Sequence, residues 1–255
     1  MRSEHRIALK SLTFAIPNAP ESWEIEVLSI GSCPEWLSVL PQAFSANPQD
    51  KLVLNREGVR PKLSTFLHGE LPIADLVVFS NADIIFAPGF YREIAHKIDC
   101  GYLAGSVNRR TVMNVSLDDP NAVTATINAE ETLPHPGSDC FFFPGALLPR
   151  LDFGGILLGV PPVGRAILSY LAMAEPSFRV FQEEHVTFHI GDARVWQSSR
   201  DVRALARGNF VQWVKLWPRQ MLDFGLFAFT RGVRAAGRGS VLRTLKSVLR
   251  GLLIQ

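Results

Sequence analysis

The spacing of apolar residues changes repeatedly along this chain, and each change marks an element. Across residues 5–16, Ile7, Ala8, Leu12 and Ala15 share one helical face. Residues 23–30, WEIEVLSI, alternate at period two and predict a strand. Pro34 opens a second helical piece over 34–44, because its fixed φ suits a first helical turn. A short strand is expected at 51–54, then a helix over 61–71 with Leu63, Phe66 and Leu67 at helical spacing. Leu76-Val77-Val78-Phe79 is an unbroken apolar run, as expected of a strand at 75–79 buried on both faces.

The second half continues in the same way. The pattern predicts a helix over 91–98, strands at 102–105 and 140–143, a helical turn at 145–150 and a helix over 165–174. Short strands follow at 178–181 and 185–189, then a helix over 201–216. Residues 106–136 are polar and turn-rich, which fits a long active-site loop or a short strand pair. Alternation of helix and strand predicts an α/β fold with a mostly parallel central sheet flanked by helices. The end of the chain differs. Val241, Leu242, Leu245, Val248, Leu249, Leu252 and Leu253 recur at helical spacing, with Arg243, Lys246 and Arg250 on the other face. This predicts a C-terminal amphipathic helical extension, so the chain divides into a domain at 1–220 and a basic tail at 221–255.

Composition narrows the class. At 255 residues and 47% apolar, the chain is long enough for one sizeable core and is not of disordered type. Cys33, Cys100 and Cys140 are widely spaced, which argues against a disulfide framework or a zinc site and suits a reducing, cytoplasmic setting. The charged start lacks the apolar stretch of a signal peptide, and no apolar run reaches the length of a membrane span. Net charge is +2, yet from Arg231 onward there are six basic residues and no acidic one. The tail suits an anionic membrane surface, and with it a peripheral position at the inner face of the membrane; alternatively its leucine face packs on the body or on another subunit. Nucleic acid ranks low as a partner, because the body shows no matching basic stretch.

Three places carry candidate chemistry. The strand at 75–79 ends in Ser80-Asn81-Ala82-Asp83, and in such sheets ligands bind beyond the carboxyl ends of strands. Asn81 and Asp83, two apart, offer oxygen donors for a divalent cation and its diphosphate, or simply cap a turn. Asp139, in His135-Pro136-Gly137-Ser138-Asp139 before the strand at 140–143, is a candidate base, or a loop carboxylate bonded to backbone. His189 ends an apolar strand before Gly191-Asp192, with Arg194 close behind. The histidine is a candidate metal ligand or a packed strand-end residue; Arg194 is a candidate diphosphate contact or a solvated charge.

The ordered blocks NAD, HPGSDCFFFP, LGVPPVGRAIL and TFHIGDARVW resemble bacterial GT-A-type glycosyltransferases of the nucleotide-diphospho-sugar transferase superfamily, over roughly residues 5–200. The resemblance implies a GT-A-like fold and a nucleotide-sugar donor whose Mn2+ or Mg2+ is held by Asp83 and His189. It also implies a glycan or lipid-linked acceptor, as in cell-surface polysaccharide biosynthesis, and Asp139 as the base. Two departures stand out. The first strand of the family's nucleotide-binding unit is missing, or lies upstream of this start. Inverting members also place a carboxylate where this chain has Gly159-Val160-Pro161-Pro162-Val163-Gly164-Arg165, leaving Asp139, Asp152 or Asp192 as candidate bases. A non-catalytic sugar- or nucleotide-binding or partner-docking relative is the alternative.

Overall fold

The computed structural model describes residues 3–25, 27, 29–31, 52–54, 60, 62–67, 74–112, 133–134, 138–191 and 200–237. The helix expected at 34–44, the amphipathic tail at 241–253, Asp192 and Arg194 lie outside these residues.

Helix α1, Ser3–Ala15, opens the chain. Strand β1, Ser29–Gly31, pairs in parallel with β2, Leu52–Leu54. Helix α2 is Leu63–Leu67, β3 is Leu76–Ser80, β4 is Ile85–Phe86 and α3 is Phe90–Asp99. Strands β5, Gly105–Val107, β6, Arg110–Val112, and β7, Leu133–Pro134, precede β8, Cys140–Pro144. Then come α4, Val163–Ala174, β9, Arg179–Phe181, β10, Thr187–Ile190, and α5, Arg200–Ala236.

One four-stranded sheet runs β3-β8-β5-β9 and a second runs β4-β10-β6-β7. Both are mixed rather than mostly parallel: β8 is antiparallel to both β3 and β5, whereas β5 and β9 are parallel. The apolar runs expected in parallel strands also suit β8, because it is buried on both sides. Phe141 and Phe143 face the cluster that holds Leu67, Tyr170, Leu171 and Trp213, under α2, α4 and α5. Cys140 and Phe142 face the cluster of Leu9, Leu12, Phe90 and Ile94, under α1 and α3. The sheet is therefore a middle layer between two layers of helices.

The segment at 23–30 keeps its alternating face but makes little ladder. Trp23, Ile25 and Val27 pack against the α1/α3 cluster, and strand pairing begins only at Ser29. Helix α5 runs past its expected end at 216 and is broken at Gly225, whose φ of 80° and ψ of 160° reverse the chain. Trp217 and Phe229 lie on opposite limbs of that break with ring centroids 5.7 Å apart, so α5 is a helical hairpin. Its second limb lies against α4: Arg231 donates to the Ala172 and Met173 carbonyls, groups that the end of α4 leaves without helical partners.

Candidate functional site

The register of β8 decides where the candidate residues meet. Cys140 is paired with Ser80 on one side and with Val107 on the other. Because β8 is antiparallel to both neighbours, the residue before Cys140 and the residues after Ser80 and Val107 leave the sheet along one edge. These are Asp139, Asn81 and the Asn108-Arg109 pair. Asn81 is fixed to Asp139 twice: its N–H donates to the Asp139 carbonyl at 3.0 Å, and its Nδ2 to Asp139 Oδ1 at 2.9 Å. The other carboxylate oxygen of Asp139 lies 3.1 Å from Arg109 Nε in an ion pair.

Burial pushes the Asp139 carboxyl above its ordinary range, against the opposing pull of Arg109 and of the Asn81 amide, while the charge of Asp83 adds to the rise. A carboxylate so raised is a better proton acceptor than a solvated one. An acid at position 81 would have set a second carboxylate against Asp139. The amide there donates instead, which gives Asn81 a structural reason apart from metal affinity.

His189 reaches the same edge from the second sheet. Strand β10 buries Phe188 and presents His189 beside Asp83, with Nε2 3.2 Å from Asp83 Oδ2. Its other ring nitrogen, Nδ1, lies 2.8 Å from the Gly191 carbonyl, which the chain turns back at the positive φ (68°) of Gly191. A carbonyl only accepts, so Nδ1 carries a proton, and the neutral ring directs its Nε2 lone pair at the Asp83 carboxylate. Two groups resolve that opposition: a second ring proton, or a cation between them. The Asp83 hydrogen bond raises the His189 pKa, and burial opposes it.

A backbone carbonyl anchoring the far nitrogen is also the usual arrangement of a metal-ligating histidine. The spacing of the two donors is close to the separation of about 3 Å between neighbouring ligands on a six-coordinate cation with bonds of about 2.1 Å. The pair therefore fits a divalent cation as two of its ligands. No group of three or more His, Cys, Asp or Glu side chains comes together among the described residues.

The structure thus brings together Asn81, Asp83, Asp139 and His189, and adds Arg109, which the sequence reading passed over. In Asn108-Arg109-Arg110 an arginine reads as a solvated charge; only the pairing of β5 with β8 turns Arg109 inward. Asp152 does not join the group: it accepts from the Gly154 N–H and pairs with Arg219 of α5. The acid-free segment before α4 does approach. Gly164 is packed so closely on the Ser138 carbonyl that a Cβ would collide with it, so an acidic residue at 164 has no room. Cys140 is fully buried, and burial pushes its thiol far above the reactive range.

No protein-family model matches this chain, and no curated protein matches it. Among solved structures, the chain is similar to a mannosyltransferase from Pyrobaculum calidifontis in complex with GDP-Man and Mn2+, with a TM-score of 0.45 and 19% identity over 98% of this chain and 72% of that one.

Proposed function

We propose that this protein transfers a sugar from a nucleotide-diphosphate donor to a hydroxyl of a glycan or lipid-linked acceptor. The observation that carries the reading is the convergence of Asp83, His189, Asp139 and Arg109 on one sheet edge, from strands far apart in sequence. Asp83 and His189 would hold Mn2+ or Mg2+, and the cation would supply charge stabilisation to the departing diphosphate. Asp139, raised by burial and held by Asn81 and Arg109, takes the acceptor's proton. Arg109 keeps that carboxylate oriented. Arg194 is a candidate second contact to the diphosphate. The side-chain Oδ1 of Asn81, whose Nδ2 is committed to Asp139, would be the atom to face the donor, since the backbone carbonyl accepts from the Ile84 N–H.

A second reading rests on the same geometry. Asp83 pairs with His189 and Asp139 with Arg109, so the four groups satisfy one another as a structural cluster would. The protein would then bind a sugar, a nucleotide or a partner without catalysis.

Calorimetric titration with UDP and with GDP, with and without Mn2+, decides between them. The donor-site reading expects binding that needs both the cation and Asp83, and that is lost in folded Asp83→Ala. With two protein ligands among the described residues, Mn2+ alone should bind weakly and tighten when the nucleoside diphosphate is present. No binding by folded wild type, or binding indifferent to Asp83→Ala, overturns the reading.

A further inference from the structure

We propose that the tip of the α5 hairpin is an apolar wedge that inserts into the surface of an anionic phospholipid bilayer. Closing the hairpin sorts its aromatic residues. Trp217 meets Phe229, and Phe224 meets Tyr170 of α4, so these rings turn inward. The residues around the Gly225 break are left outside: Leu222 is 86% exposed, Phe227 83%, Leu226 67% and Met221 40%. Of the large apolar side chains exposed among the described residues, only Leu103 and Leu205 lie elsewhere. Single exposed leucines are ordinary, but four exposed apolar residues within 221–227, at the turn of a hairpin, mark an interaction surface.

Charge identifies the partner. Residues 200–255 carry 11 basic and 2 acidic side chains, whereas residues 1–199 carry 15 and 22. The basic excess thus belongs to the hairpin and the sequence that follows it, while the rest of the protein is acidic. The acidic residue at the tip, Asp223, lies 3.5 Å from Nε of Arg219, a residue it shares with Asp152 at 2.9 Å. Over residues 211–237 the two limbs behind the tip carry Lys215, Arg219, Arg231 and Arg234 against Asp223, and apolar side chains ahead of a basic surplus match the two layers of an anionic membrane surface, acyl chain and headgroup. A symmetric contact between two copies would instead set two positively charged hairpins against each other. The sequence at 241–253 supplies a second stretch rich in leucine and basic residues, whose charge would add to the attraction.

The test uses the full chain and co-sedimentation with vesicles of phosphatidylcholine alone or with about 30% phosphatidylglycerol added, the negative surface that attracts basic segments. Wild type should bind the anionic vesicles only, and Leu222→Ser/Phe227→Ser should weaken that binding about tenfold without changing charge or melting temperature. Leu103→Ser, an exposed leucine outside the hairpin, should bind as wild type. Equal binding by the double variant and wild type would mean that charge or the tail alone holds the protein, and would overturn the proposal. So would wild type that ignores anionic vesicles, or that buries the tip in a dimer which the double variant abolishes. The assay contains no nucleotide or cation, so its failure and the failure of the donor-site reading are separate results.

Discussion

At the scale of single residues, the site is two charge pairs joined through an amide. Asp139→Ala would leave Arg109 largely buried without its carboxylate; a loss of about 3 kcal/mol in folding stability is expected from denaturant melts. Asp139→Asn keeps the shape, so under the proposed mechanism it should retain nucleotide binding in calorimetry while sugar transfer falls by a factor of about a hundred or more, as for loss of a general base. The histidine makes a pH prediction for the cation-free protein. Its folded pKa is raised above the unfolded one, so the pair's stabilisation is complete below the unfolded pKa and is lost as pH rises through the folded pKa. Melting temperatures in EDTA should therefore fall across that window, and His189→Gln should remove the slope. Asn81, Asp83, Asp139 and His189 were legible in the sequence because each stands at the end of an apolar run. Arg109 was not, because its partner lies 30 positions away and its own neighbours are polar.

At the scale of elements, periodicity found most helices and strands but not their pairings. The run at 140–143 reads as buried, and β8 is buried on both faces, yet nothing in that run says that both its neighbours are antiparallel. Position 23–30 shows the converse: alternation named the face that packs, while the ladder forms only at Ser29–Gly31. The sequence pattern ends this helix at 216, whereas α5 passes through Pro218 and reverses only at Gly225. The reversed limb fits because Gly232 lies flat on the Ser169 carbonyl and the Met173 side chain. Gly232→Ala should push that limb off α4 and cost roughly 1–3 kcal/mol in denaturant melts, as overpacking does. Gly208→Ala is the control, since a Cβ there meets nothing within 4 Å and alanine is the better helix former; it should be neutral or slightly stabilising.

At the scale of the whole molecule, the α/β class followed from alternation, but the sandwich of one mixed sheet between α1/α3 and α2/α4/α5 needed the two faces of β8 to be told apart. No helix among the described residues is long and apolar enough to cross a membrane. The pairing of β6 with β7 has an evolutionary consequence. Thr111 pairs with Leu133 and Arg110 with Pro134, so the two ends of the connection between these strands are held side by side. Lengthening such a connection is cheap, about 0.6 kcal/mol for each doubling. The β6–β7 pairs are also separate from the five β3–β8 pairs that place Asp139 beside Asn81. Residues can therefore be gained or lost between these two strands while Asp139 stays in register beside Asn81, so the chain can drift in length there without rebuilding the cluster.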